Sequence, residues 1–162
     1  MRPWWHHPPM DRDARIADYE TGAAAFAAAL DGLTDAQLDR EPHDGGWSAR
    51  RVAHHVADSE TNSYIRLRRL VAEDDPLIIG YDEERWADHL HYDRPIAFAV
   101  AVVHAVRAAS LELMRSLGPD EWARAHGRHS DAGVYTLETW LDTYVRHPRE
   151  HAEQILRAVR QG

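Results

Sequence analysis

The chain contains no cysteine, which excludes disulfides, thiolate metal ligands and a protein thiol nucleophile. It contains no lysine either. All 19 basic residues are arginine, so Schiff-base chemistry is excluded as well. Any thiol chemistry would have to use a thiol supplied from solution. Positive charge is in short supply: 27 acidic residues against 19 basic ones leave a formal net charge of -8. No arginine run is long enough to build the basic face that a nucleic acid demands. The apolar runs, residues 23–30 among them, are too short to span a bilayer. No leader pattern opens the sequence, so the expected location is cytoplasmic, with neither nucleic acid nor membrane as a partner.

A length of 162 residues suffices for one domain with its own core. Residues 1–10, rich in proline and carrying Trp4 and Trp5, read as an extended arm in which His6 and His7 are not ligands. Residues 11–162 read as a single helical domain. Ile16, Tyr19, Ala23, Phe26 and Leu30 recur at steps of three and four, which predicts a helix over 11–31 stopped at Gly32. Thr34 and Gln37 form a capping box, and Ser48 is the N-cap of a second long helix ending near 73. Residues 77–94 look irregular, with a short helix around 82–88. A third helix begins near Pro95 on the stripe Ile96, Val100, Val103, Val106, Leu113 and Leu117, and Gly118-Pro119 stops it. Residues 123–135 have the turn residues of a small hairpin, and a last helix covers 136–160. Four long amphipathic helices specify an all-α fold, a four-helix bundle with short extra helices.

Histidine is plentiful, at 12 residues. His147 and His151 stand four apart on the last helix, which puts both imidazoles on one face. His55, beside His54, lies in the second long helix. Three neutral nitrogens from two helices would hold a divalent transition metal and leave coordination positions open, the mark of a catalytic site. Zinc or nickel is the expected metal, although an all-histidine site also accepts Mn, Fe or Co. A plainer reading is open at this point: a solvated helix face for the pair beside Arg146, Arg149 and Glu150, and a core position for His55. His89, His91, His104, His126 and His129 have no partner at ligand spacing. Pro148 interrupts the last helix between the two histidines. It lacks an amide donor and crowds the Tyr144 carbonyl at a cost of ~3 kcal/mol, so a kink or a restart is expected there.

Gly45-Gly46-Trp47-Ser48, then His54-His55-Val56-Ala57-Asp58-Ser59, and near the end Tyr144-Val145-Arg146-His147 with His151, resemble the DinB/YfiT superfamily of metalloenzymes. Asp58-Ser59-Glu60, Asn62-Ser63-Tyr64-Ile65-Arg66 and Gly80-Tyr81-Asp82-Glu83 with Trp86 bring the chain close to the YfiT branch. Members of that branch resemble bacillithiol S-transferases and are often labelled metal-dependent hydrolases. The resemblance covers residues 33–160. It implies a four-helix bundle, a homodimer, and a metal site of His55, His147 and His151. His55 is preferred over His54 because the family's ligand precedes the aliphatic residue. Pro148 departs from the family pattern.

Ser59, Asn62 and Arg66 follow His55 by four, seven and eleven residues and share its stripe, while Tyr144 and Gln154 flank the other two histidines. Arg66 is suited to bind an acidic group of a substrate. Asp58 and Glu60 are expected in solvent, with one of them able to orient a ligand imidazole. Tyr81, Asp82 and Trp86 are candidates for a lid or for plain packing. The leading expectation is a metal-dependent S-transferase that passes a low-molecular-weight, bacillithiol-like thiol co-substrate to an electrophile. The alternative is a hydrolase using a metal-bound hydroxide, and metal sensing or storage is third. The apolar arm gives the homodimer some further support.

Overall fold

The computed structural model describes residues 11–43 and 45–161. The arm expected at residues 1–10 lies outside them. Four long helices carry the fold: α1 (Arg12–Leu30), α3 (Ala49–Ala72), α5 (Ala97–Ser116) and α7 (Leu137–Gln161). Between them come α2 (Asp35–Leu38), β1 (Leu77–Ile78), α4 (Glu83–His89), α6 (Pro119–Arg124), β2 (His126–His129) and β3 (Gly133–Thr136). Helix α1 packs between α5 and α7, and α3 packs between the same two helices on the other side. The chain therefore crosses a diagonal of the bundle between α1 and α3, and again between α5 and α7.

The starts of the helices follow from side chains named in the sequence. The Thr34 hydroxyl accepts from the Gln37 amide while the Gln37 side chain accepts from the Thr34 amide, the reciprocal capping box. Ser48 caps α3 through the Arg51 amide. Pro119 does more than end the preceding helix: it occupies the first turn of α6, where a missing N–H costs nothing.

Two expectations need correction. Residues 77–94 contain a strand as well as a short helix: β1 pairs in parallel with β2, Leu77 opposite Arg128 and Ile78 opposite His129. The expected hairpin is β2–β3, antiparallel, with Gly127 opposite Tyr135. A side chain on Gly127 would come 2.6 Å from the Pro76 carbonyl oxygen, so glycine is what lets the third strand close on the hairpin. The second correction concerns α5. Its inward face is centred on Ala99, Val103, Arg107, Ser110 and Met114; of the expected stripe Val103 and Leu117 are buried, while Ile96, Val100, Val106 and Leu113 are half-buried at the edges of that face. Phe98 points out and is 85% exposed. By length and composition alone α5 is apolar enough to cross a membrane, contrary to the expectation of short runs only. Here it is a bundle helix, packed on α3 and α1, with its one mid-helix arginine turned inwards.

The core is accordingly divided. One apolar cluster gathers Ile16, Leu67, Leu70, Met114, Trp140 and Leu141; the other gathers Ala23, Phe26, Val52, Val56, Val103 and Ile155. Between them runs a buried polar layer: His55, Ser59, Glu60 and Ser63 from α3, with Arg107 and Ser110 from α5. Helix α7 contributes His147 to the same level and continues unbroken through Pro148. Of the kink or restart expected there, the restart does not occur.

Candidate metal centre

His55 sits at the start of this layer, 2% exposed, with the edge of Trp47 against its ring at 5.2 Å between centroids. The turn 45–47 before the Ser48 cap delivers that indole. On α7 the i, i+4 spacing places His147 and His151 one turn apart, with ring centroids at 4.4 Å. The His55 ring lies 4.7 Å from His151 and 5.5 Å from His147. One nitrogen from each of the three lies within 4.8 Å of the others.

The proton positions can be argued from partners. His151 Nδ1 is 2.8 Å from Gln154 Oε1, an atom that only accepts, so Nδ1 carries the hydrogen and Nε2 the lone pair. That lone pair points at His147 Nε2, 3.2 Å away. Two nitrogens on a tetrahedral ion with bonds of ~2.0–2.1 Å stand ~3.3–3.4 Å apart, so the spacing suits a shared cation. His147 Nδ1 and His55 Nδ1 are buried with no hydrogen-bond partner among the described residues. These residues fit a transition-metal ion.

Electrostatics favour the same state. Burial, and secondarily the proximity of His151, push the His55 pKa down from 6.5 to about 4. Burial is also the first cause for His147, held well below its ordinary value, and for His151, held below it. All three imidazoles are neutral at pH 7, the form that binds metal.

A stability prediction follows, and its sign is fixed by these shifts. The folded state holds the three histidines neutral where the unfolded chain, titrating near 6.5, takes up protons. Their contribution is complete above about pH 6.5 and is lost as pH falls towards about 4. His55 alone accounts for about 3 kcal/mol of that loss. Glu60, pushed up to about 7 by burial against the pull of Arg107, works in the opposite sense and offsets part of that loss. Urea unfolding of the metal-free protein should therefore show falling stability between about pH 6.5 and 5, where free carboxylates stay ionised. A flat profile would mean that the histidines are solvated.

The other expected site residues divide. Ser59 is buried beside the hydroxyls of Tyr81 and Tyr144. Tyr144 is buried, with its ring 5.9 Å from His147. Arg66 reaches this corner, but it donates from Nη1 to Tyr144 Oη (3.0 Å) and from Nη2 to the Ile79 carbonyl (3.1 Å). Asn62 turns back on its own helix, Nδ2 donating to the Asp58 carbonyl, so it does not join the histidines in this arrangement. His54 faces away: its Nε2 donates to the Arg94 carbonyl at 3.0 Å and its ring stacks on Tyr92. Asp82 caps α4 through the Arg85 amide, and Tyr81 packs on Trp86 at 4.4 Å between centroids.

Three residues went unrecognised or were misread in the sequence. Glu60, expected in solvent, is 1% exposed and ion-paired with Arg107 at 2.8 Å. Arg107 was not singled out at all. Glu83 shares with Trp47, His55, His151 and Gln154 the wall of an open cavity of about 340 Å³. Partial burial and the adjacent Glu84 charge raise the Glu83 carboxyl above its ordinary pKa, against the pull of Arg66.

A Bacillus subtilis protein named "Putative metal-dependent hydrolase YfiT" is 33% identical over 146 residues, 89% of this chain and 82% of that one. An Oceanobacillus iheyensis protein, also named a putative metal-dependent hydrolase, is 34% identical over 123 residues, 76% of this chain and 71% of its own. The solved structure of Bacillus subtilis YfiT, described as "a probable metal-dependent hydrolase with an unusual four-helix bundle topology", superimposes with a TM-score of 0.85 at 31% identity. It covers 99% of this chain and 92% of that one. The sequence pattern of the DinB superfamily matches residues 18–155, and this four-helix bundle with its three facing histidines belongs to that superfamily.

Proposed function

We propose that the protein is a divalent-metal-dependent hydrolase whose metal is held by His55, His147 and His151. The observation that carries this reading is three neutral imidazoles converging beside an open cavity that has a carboxylate in its wall. A divalent cation held there would acidify a water and polarise the bond to be cleaved. The chain's own groups do the rest. Gln154 fixes the His151 ring by accepting from Nδ1. Trp47 shields one side of His55 from water. Glu83, with its raised pKa, takes up and returns a proton at its carboxylate oxygens. Arg66 and Tyr144 form a hydrogen-bonded pair at the inner end, where a polar substrate group can be received.

Thiol transfer stands second. An open metal position would serve it equally, and no cysteine in the chain competes for the ion. Its expected anchor, however, already spends two guanidinium nitrogens on Tyr144 and the Ile79 carbonyl. The relatives also carry the hydrolase name. A homodimer remains part of the proposal, and sedimentation of the full-length chain checks it.

Metal-loaded protein assayed on nitrophenyl esters and anilides, and separately for conjugation of small thiols to an electrophile, discriminates the two chemistries. Glu83→Gln should lower kcat for hydrolysis by about a hundredfold or more, the usual share of a general acid–base group, with metal content unchanged. Undiminished turnover in that variant would remove Glu83 from the reaction. Chelator-sensitive thiol conjugation without any cleavage would overturn hydrolysis itself.

A further inference from the structure

The buried pair Glu60–Arg107 has no part in the proposed hydrolysis, although it sits behind a proposed ligand, His147. Glu60 is 1% exposed and Arg107 3%, and Arg107 Nη1 meets Glu60 Oε1 at 2.8 Å. Taking two charges out of water this deep is costly, and a well-packed apolar pair is often as stable. The pair therefore calls for a reason beyond stability. His147 Nδ1 lies 3.9 Å from Glu60 Oε1, too far for a hydrogen bond but with no competing partner. Glu60 Oε2 is likewise buried and without a partner. The His147 Nδ1 and the Glu60 carboxylate are thus a buried imidazole nitrogen and a buried acceptor group side by side, each with hydrogen-bonding capacity left over, and they are complementary.

What fixes Arg107 is equally specific. Pro148 has no N–H, so the carbonyl of Tyr144, four residues earlier, loses its usual helical donor. Arg107 Nη1 supplies the donor, 3.1 Å from the Tyr144 oxygen, while Nη2 donates to the Tyr19 carbonyl of α1. The guanidinium can come this close because residue 22 is glycine. A side chain there would meet Pro148 Cγ at 2.8 Å and Arg107 Nη2 at 2.9 Å. Its carbon also lies 3.7 Å over the Tyr19 ring. Arg107 is thus held from α1 and α7, and it holds Glu60 in turn.

We propose that Glu60 is a positioning residue of the metal centre: it accepts the Nδ1 hydrogen of His147 and so aims Nε2 at the metal, while Arg107, seated on the carbonyl that Pro148 frees, holds the carboxylate in place. The inference rests on the three-histidine metal site and adds what orients one of its ligands. A ligand imidazole whose second nitrogen is bound to a carboxylate is locked in one tautomer and is a stronger base. Losing such a partner usually costs about 10- to 100-fold in metal affinity.

Two measurements test it, neither of them activity. The first is zinc affinity by competition with a chromophoric chelator, for wild type, His147→Ala and Glu60→Gln. Wild type should bind about one ion per chain, His147→Ala should lose it, and Glu60→Gln should bind roughly 10- to 100-fold more weakly. Equal affinity of Glu60→Gln and wild type overturns the proposal and leaves the metal site standing. Failure of wild type to bind, or full binding by His147→Ala, is instead the failure of the site itself. The second needs no variant and so survives if Glu60→Gln does not fold. Nitrogen-15 and proton NMR of the zinc-loaded wild type should show the His147 Nδ1–H with the downfield proton shift and slow solvent exchange of a hydrogen bond to a carboxylate. An Nδ1–H at the shift of an unbonded imidazole overturns the proposal and leaves the metal site standing.

Discussion

Alanine in place of His147 should strip the protein of its metal. If the binding free energy of ~10–16 kcal/mol typical of such sites is shared among four ligand positions, each carries roughly 3 kcal/mol, more than a hundredfold in affinity. The 3.2 Å between His147 Nε2 and His151 Nε2 makes these two the edge on which the ion would sit. His54, the nearest in sequence to His55, is committed to the Arg94 carbonyl on the opposite side of α3. His54→Ala should accordingly keep its metal while His147→Ala loses it. Elemental analysis after gel filtration reads both. The helical content of metal-free His147→Ala should match wild type, because the imidazole it removes is a buried polar group with an unsatisfied nitrogen. Metal retained at the wild-type level in His147→Ala would dismantle the site.

The second large effect is on stability. Arg107→Ala leaves the buried Glu60 carboxyl without its partner, either charged or forced to take up a proton, and removing one partner of such a pair costs about 3–5 kcal/mol. The Tyr144 and Tyr19 carbonyls lose their guanidinium donor in the same step, and an unsatisfied buried acceptor adds about 1–3 kcal/mol. In a domain of this size each kcal/mol moves Tm by about 2–4 °C, so a fall of ~10 °C or more is expected. Replacing both members by apolar residues, Glu60→Leu with Arg107→Met, should recover much of that loss, since the penalty comes from leaving one charge alone. Thermal unfolding followed by circular dichroism measures both. If Arg107→Ala melts with wild type, the pair is solvated and the divided core is wrong.

Much of this arrangement was legible in the sequence. The helices announced themselves through apolar spacing and through caps such as Thr34 with Gln37, because those signals are local. The three histidines were legible because helical spacing and family resemblance bear on the same positions. The layer behind them was not. Charged residues on an amphipathic helix ordinarily face water, so Glu60 read as solvated and Arg107 was passed over in favour of Val106. A cue did exist: Val103, Arg107, Ser110 and Met114 keep the steps of an inward stripe, with an arginine in the middle of it. Pro148 was the other cue. It was read as damage to the helix, when a freed carbonyl also implies a donor from elsewhere. Glu83 was missed because it reaches the cavity by tertiary packing of α4 on α3. Strand β1 escaped for a similar reason: two residues pair with a partner about fifty positions away.

The proposed ligands are divided between α3 and α7, and this sets an order of events in the making of the protein. Synthesis runs from the N-terminus, so His55 emerges while most of the chain has yet to be made. His147 and His151 arrive only with the final helix, which must dock between α1 and α3 before three nitrogens can meet. The ion then joins two points separated by more than half the chain, and closing so long a loop removes conformational freedom from the unfolded ensemble much as a disulfide does. In a chain without cysteine, the metal would be the one cross-link these side chains can form. Its uptake would mark the moment at which the last helix has found its place.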